Sequence, residues 1–343
     1  LINKTKFYFL MSLFLLLLVA GCGSSGGSSA EGSASGNGGD SNNPIKLTVV
    51  SFLPHNHQFT RDIIPIWIER IEEGTDGAVD LDWNAGPESI PTNEQFDAVR
   101  NGIVDIGFNT SSFYGHLMPE TLSLHMSTAT PWEERENGYF DYLSERFKEQ
   151  NQVYLGRWLG PNPFLFWTNE KVETLSDFEG LKMRSNPTYH KILEALKASP
   201  VDVLPGEVYT SLERNMVDGF GFPLLGPAED GWTEVTKYLI DEPFLNQNAT
   251  IVINQKSFES LPVDIQEKMI SITAEFEKEM YEHFNKENEK TLKVLEEQGI
   301  EIIKLQEEDS KKFQELVYDV YWNMLEQDNP DQIEKLKSLL QTE

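Results

Sequence analysis

The sequence predicts an α/β fold in two lobes, each a mixed sheet flanked by helices, with one long helix bracing both. Three observations lead to it. Short apolar runs alternate with stretches of helical periodicity in the order βαβαβ, which marks a mostly parallel sheet covered by helices. The pattern then returns: Arg100-Asn101-Gly102-Ile103-Val104-Asp105 and Glu213-Arg214-Asn215-Met216-Val217-Asp218 are each a helix end, a polar turn and a strand opening on Val-Asp. Finally, Ile265, Met269, Ile272, Phe276 and Met280 run down one face between Pro262 and Glu297. A helix of about 36 residues spans roughly 54 Å, longer than one lobe.

In the first lobe, Ile45 to Val50 reads as a strand. A helix with Ile64, Trp67, Ile68 and Ile71 in register runs to about Glu73, where Gly74 and Gly77 stop it, and Val79 to Trp83 is the next strand. Pro91 and Thr92, with Gln95 three residues beyond Thr92, form a capped helix start. Phe96, Val99 and Ile103 continue one face before a strand at Val104 to Phe108. The second lobe repeats the order: strand Leu181 to Arg184, helix Tyr189 to Lys197, strand Val201 to Leu204, another helix, and strand Val217 to Phe220. In that last helix, either Val208 and Leu212 or Tyr209, Leu212 and Met216 face inward. Ala249 to Asn254 is a further strand, and helices near Ser310 to Glu326 and Pro330 to Leu340 are expected on the outside.

The chain carries 28 Lys and Arg against 56 Asp and Glu, a formal charge of −28. That excludes nucleic-acid binding through a general basic surface, and attachment to anionic lipid by charge. An anion site would need dedicated local cations. At the N-terminus, Lys4 and Lys6 precede an apolar run from Phe7 to Ala20, too short to favour a permanent spanning helix. It closes on Leu18-Val19-Ala20-Gly21-Cys22, which resembles a bacterial lipobox. The resemblance implies cleavage before Cys22 and diacyl modification of that residue, enough for stable anchoring. Cys22 is the only cysteine, so no disulfide framework exists and stability must come from the core. Gly23 to Asn43 is almost wholly Ser, Gly, Ala and Asn. Such a tether has a root-mean-square reach of roughly 25 Å. Gly23-Ser24-Ser25-Gly26-Gly27 matches the hydrolase elbow G-x-S-x-G in letters but lacks its strand and helix.

The strongest candidate for an anion site is Arg184. In Asp177-Phe178-Glu179-Gly180-Leu181-Lys182-Met183-Arg184-Ser185-Asn186, an acidic glycine turn feeds a short apolar strand. Arg184 arrives at the strand's C-terminal end, where α/β sheets usually meet their ligands. Its planar fork matches a carboxylate with two parallel hydrogen bonds; a plain surface arginine is the competing reading. His55-Asn56-His57 follows the first strand, and His57 is a candidate polar ligand contact. As a metal pair the two histidines lack a matched ligand cluster. Asp105 and Asp218 read as strand openers that accept backbone hydrogen bonds. Carboxylates are too abundant for any acid/base couple to stand out, so no enzyme is expected.

With these residues in place, the chain resembles the extracytoplasmic solute receptors of TRAP transporters, the DctP-like proteins. The carriers are Leu175-Ser176-Asp177-Phe178-Glu179-Gly180-Leu181-Lys182-Met183-Arg184, Ala198-Ser199-Pro200-Val201, Glu207-Val208-Tyr209 and Met216-Val217-Asp218-Gly219. Asn101-Gly102-Ile103-Val104-Asp105-Ile106-Gly107 and Ser260-Leu261-Pro262 add to them. The likeness is densest from Asn169 to Pro223 and continues more weakly to about Gly299. It implies a two-lobed, periplasmic-binding-protein-like fold whose cleft shuts on a small organic acid, and delivery of that acid to a membrane permease. In the family, the arginine matching Arg184 binds the ligand carboxylate.

Two departures narrow the expectation. Where the sialate-binding branch has a second arginine and an asparagine, spacing places Phe164 and Phe222. Where the metal-using branch has an acidic–tryptophan pair, this chain reads Val217-Asp218-Gly219-Phe220. The expected ligand is therefore a monocarboxylate with a sizeable apolar portion, without metal or other cofactor. The expected site is Arg184, Asn186, Phe164, Trp167, Phe222 and His57. The competing function is a ligand-sensing lipoprotein that partners a sensor kinase, with a surface-anchored α/β hydrolase behind it. The expected organisation is a signal peptide over 1–21, the lipidated Cys22 and its linker over 22–43, a first lobe over 44–166 with a returning segment near 250–280, and a second lobe over 167–249 with C-terminal helices over 281–343. The protein is expected on the outer face of the membrane, lipid-anchored, as a monomer with no nucleic-acid partner.

Overall fold

The computed structural model describes residues 43–340. The predicted leader, Cys22 and all of the tether but Asn43 lie outside the described residues. Among the described residues no helix is long and apolar enough to cross a membrane.

The described strands form two mixed sheets. The first contains β1 (Ile45–Ser51), β2 (Val79–Ala85), β3 (Ile106–Asn109), β4 (Gln152–Trp158) and, returning late in the chain, β10 (Ala249–Asn254). Their order is β2-β1-β3-β10-β4, with β1 parallel to β2 and β3 while β10 runs antiparallel to both of its neighbours. The second contains β5 (Pro163–Thr168), β6 (Lys182–Ser185), β7 (Ser199–Asp202), β8 (Gly219–Pro223), β9 (Tyr238–Asn246) and β11 (Glu301–Ile303), in the order β11-β9-β5-β8-β6-β7. Here β6 is parallel to β7 and β8, and β5 is antiparallel to β8 and β9.

The chain passes between sheets at Leu159–Asn162 and again at Gln247–Asn248. The boundary expected at 166/167 therefore falls inside β5, a few residues late. Sequence periodicity missed β4 and β5 because nearly every residue in both is buried, which erases the alternation that marks a half-exposed strand.

The internal repeat is reproduced bond for bond. Gly102 and Asn215 both take left-handed backbone angles, φ +70° and +54°. Gly102 N donates to Val99 O at 3.0 Å and Ile103 N to Ala98 O at 2.9 Å. In the other lobe Asn215 N donates to Leu212 O at 3.0 Å and Met216 N to Ser211 O at 2.8 Å. This is the helix stop in which a left-handed residue lets the last carbonyls find donors. The aspartate that follows each turn ties its strand to the next. Asp105 Oδ2 accepts from Thr48 N and Asp218 Oδ2 from Lys182 N, both at 2.8 Å. The structural role expected for these two acids is the one they fill. Ile103 and Met216, however, are 74 % and 55 % exposed, so they leave the helix faces assigned to them, and Val208 with Leu212 is the inward pair.

The long helix is continuous over Val263–Glu297. Ile265, Met269, Phe276, Met280 and Phe284 pack into the core of the first sheet, while Leu292 and Leu295 reach the core of the second, so the helix braces both. Glu277 pins it to β4, accepting from Arg157 N at 2.8 Å and from Arg135 Nε at 2.8 Å. Gly156 is required there, since a Cβ on it would sit 2.5 Å from Glu277 Oε1. The C-terminal helices are not confined to the second lobe. Glu307–Asp328 packs on the helix His190–Ala195 and on β9, and also on the 3-10 segment Pro119–His125; Ile333–Leu340 packs on the helix Tyr139–Glu149.

Candidate functional site

The C-terminal ends of β1 and β3 from one sheet and of β6, β7 and β8 from the other converge on a cavity of about 650 Å³. The first sheet contributes Phe52, His57 and Phe113, and the second Arg184, Asn186 and Phe222. This is the place where the loops after parallel strands can close on a ligand from two sides.

Arg184 is 3 % exposed and lies in the cavity wall. Its Nε donates to Val203 O at 2.9 Å and its Nη1 to Tyr189 Oη at 2.9 Å, with Gly221 O a longer 3.4 Å away. Nη2 has no bond to the described residues, and no carboxylate among them pairs with the guanidinium. A buried cation held by neutral groups alone is costly, and its spare donors are suited to an anion brought from outside. Tyr189 can approach because Gly221 carries no side chain: a Cβ there would lie 2.8 Å from the ring.

The other expected residues divide. Phe164 and Phe222 both line the cavity, Phe164 buried against His125, Tyr189 and Phe244, and Phe222 half-buried with its ring 4.7 Å from Trp232. Asn186 lines it too, while its Oδ1 accepts from Thr188 N at 3.0 Å and shapes the turn after β6. His57 is at the wall and caps the helix Gln58–Arg61, its Nδ1 accepting from Phe59 N at 3.2 Å. Burial, reinforced by nearby Arg61, pushes its pKa down to about 4, so the ring is neutral at pH 7. Trp167 does not belong with them. It is fully buried and stacked on Phe220 at 5.7 Å, within the same core that Phe222 and Trp232 join, and is not among the cavity-lining residues. His55 instead stacks on Trp83 at 4.3 Å, and no group of three or more His, Cys, Asp or Glu able to hold a metal occurs among the described residues.

Sequence reasoning missed Phe52, Phe113, Tyr209, Trp232, Gln247 and Asp230. Phe52 and Phe113 were within reach, because each follows the end of a parallel strand, the same logic that selected Arg184. Trp232 and Asp230 come from the segment between β8 and β9, which carried no periodic signal. Gln247 lies in the second crossover, and its Oε1 is buried without a hydrogen-bond partner among the described residues.

Residues 51–328 match the family model for DctP, the bacterial extracellular solute-binding proteins of family 7. The chain belongs to this family. As a family 7 member it is an extracytoplasmic solute-binding protein. Among curated relatives, the 2,3-diketo-L-gulonate-binding periplasmic protein YiaO of Escherichia coli is 25 % identical over 280 residues, covering 78 % of this chain and 84 % of that protein. A monocarboxylate 2-oxoacid-binding periplasmic protein of Nostoc is 22 % identical over 268 residues, covering 74 % and 72 %. In three dimensions, a TRAP periplasmic solute-binding protein of Desulfovibrio salexigens with bound orotic acid superposes with a TM-score of 0.76 at 19 % identity, over 86 % of this chain and 97 % of that one. DctP7 of Bordetella pertussis, which binds pyroglutamic acid, gives 0.75 at 17 % identity over 87 % and 100 %. The family 7 fold thus accounts for both sheets, the crossovers and the bracing helix.

Proposed function

We propose that the protein is the receptor of a TRAP-type secondary transporter, binding a small organic acid between its lobes and delivering it to a membrane permease without chemical turnover. The observation that carries this is Arg184: a buried guanidinium in the cavity wall with no carboxylate partner among the described residues. A ligand carboxylate would supply the missing charge through a short, bidentate pair. The named relatives agree in chemistry, since diketogulonate, 2-oxoacids, orotic acid and pyroglutamic acid are all carboxylic acids. Phe52, Phe113, Phe164, Phe222 and Trp232 would take an apolar portion of the ligand. Because each lobe supplies part of the wall, a ligand touching both favours the closed arrangement, which is the state a permease can recognise. Anchoring through a lipidated Cys22 would keep the receptor beside that permease.

Thermal-shift screening of the protein against a panel of organic acids, followed by calorimetry, tests the reading. A raised melting temperature with at least one carboxylate, lost in Arg184→Lys, is expected; a panel in which uncharged solutes stabilise the protein and acids do not would overturn it. A permease pair encoded beside the gene would favour transport over signalling. Cys22→Ser is expected to release the protein from the membrane fraction.

A further inference from the structure

The cavity wall carries charged groups of opposite sign. Arg184 offers donors only. Along the same wall, Phe222 follows Gly221, the residue bonded to Tyr189, and its ring lies against Gly226, where an added Cβ would be 2.8 Å from Cε1. The loop that starts at Gly226 ends at Asp230, whose carboxylate lines the cavity and is about one-third exposed. Arg184, the Phe222–Trp232 aromatic pair and the Asp230 carboxylate thus line one cavity, together with the carboxylates of Asp202 and Glu207.

Asp230 accepts no hydrogen bond from any described residue. His57 Nε2, on the opposite lobe, lies 3.9 Å from Asp230 Oδ2, too long for a hydrogen bond. Because His57 Nδ1 is occupied as an acceptor by Phe59 N, the neutral ring carries its proton on Nε2, the atom that faces Asp230. Burial and neighbouring Glu229 hold the Asp230 carboxyl up at about 6, as expected of a carboxylate short of donors. Gln247 adds a second unpartnered polar atom to the same cavity, 8 % exposed at the crossover between sheets.

We infer that Asp230 is a second ligand anchor, accepting a hydrogen bond from a hydroxyl or ammonium group, so that the preferred solute is an organic acid that also carries a donor. The inference rests on the receptor reading and adds to it a rule of selection. The carboxylate goes to Arg184, the carbon skeleton lies on Phe222 and Trp232, and the donor reaches Asp230, with His57 closing from the other lobe.

The test is calorimetry on the protein with carboxylic acids of about three to six carbons, each unsubstituted, hydroxylated or aminated at the 2-position or at the far end. At least one donor-bearing acid is expected to bind tenfold or more tightly than its unsubstituted parent. Asp230→Asn, which keeps an acceptor oxygen but loses the charge, is expected to abolish the advantage of an amino acid selectively. Asp230→Ala is expected to abolish that of a hydroxy acid as well, each advantage being read as the ratio of donor-bearing to parent acid within the same variant. Donor-bearing acids that never exceed their parents, or an advantage that survives in Asp230→Ala, would overturn the inference. The parent acids report the underlying reading separately: their binding rests on Arg184, so an unchanged affinity in Arg184→Lys would overturn the receptor assignment itself.

Discussion

Tyr189 holds Arg184 from behind: Arg184 Nη1 donates to Tyr189 Oη at 2.9 Å, and that hydroxyl donates in turn to Gly221 O at 2.7 Å. Both residues come from the β6 region, but the carbonyl that completes the chain comes from β8, so the guanidinium is positioned by the sheet rather than by its own loop. Tyr189→Phe removes the middle of this relay and leaves Arg184 Nη1 only its longer bond to Gly221 O. A fall in acid affinity of about three- to tenfold is expected, with a stability loss of about 1 kcal/mol. Calorimetry and denaturant unfolding together separate the two effects; equal affinity in wild type and variant would show that the relay does not orient Arg184.

Arg184→Lys keeps a positive charge but replaces a planar fork by a point charge that cannot bond Val203 O, Tyr189 and a ligand carboxylate at once. Acid affinity is expected to drop at least tenfold while the fold is retained. Calorimetry with an acid identified by the thermal-shift panel measures the drop, and circular dichroism checks the fold.

Phe222 and Phe164 should separate binding from stability. Phe222 is half-buried at the cavity, so Phe222→Ala is expected to weaken acids with an apolar body by tenfold or more with a modest change in melting temperature. Phe164 is 3 % exposed within an aromatic cluster, so Phe164→Ala is expected to cost about 3–5 kcal/mol of stability. The pair is read by unfolding curves alongside titrations.

Glu277 is buried, and it answers both Arg135 and the Arg157 amide from the long helix. Glu277→Gln removes the charge that Arg135 faces, and breaking one side of a buried pair typically costs about 3–5 kcal/mol. The expected result is a lower melting temperature. If the loss were small, the helix would be held chiefly by its apolar face.

Stability is expected to fall in mild acid, and His125 is a defined cause. It is 1 % exposed, with Nδ1 donating to Asn246 O at 2.8 Å and Nε2 near Ser111 Oγ at 3.1 Å. Burial pushes its pKa down from 6.5 to about 4. The unfolded chain therefore binds a proton that the folded chain refuses between those values. Stability is complete above about pH 6.5 and declines as pH falls toward 4, by about 3 kcal/mol in total. Asp230 works in the opposite sense, since its raised pKa makes the folded state the better proton acceptor between 3.8 and about 6. Comparing wild type with His125→Gln across pH 4 to 7 isolates the histidine: the acid decline should flatten in the variant.

The paired turns at Gly102 and Asn215 were legible because they are local: a left-handed residue, a helix end and a Val-Asp strand start write themselves in consecutive letters. The long helix was legible for a similar reason, its apolar positions repeating at helical spacing over 35 residues. Arg184 was legible as a strand end. Trp167 lies outside the cavity because it pairs with Phe220, two residues short of the cavity-lining Phe222, and strand position alone does not say how far along a strand a cleft reaches.

Spacing along the chain is enough to set the α/β alternation, the duplication, the bracing helix and the arrival of an arginine at the carboxyl end of a strand. Packing in three dimensions was needed to return β10 to the first sheet, to part β4 from β5, and to bury Arg184 beside Tyr189 with no carboxylate partner among the described residues. It alone set His57 and Asp230 facing one another across the cavity. The pairing of β10 with β3 and the approach of His57 to Asp230 join residues more than a hundred positions apart. They depend on which faces pack together, a choice made by burial over the whole molecule that no local stretch of sequence contains.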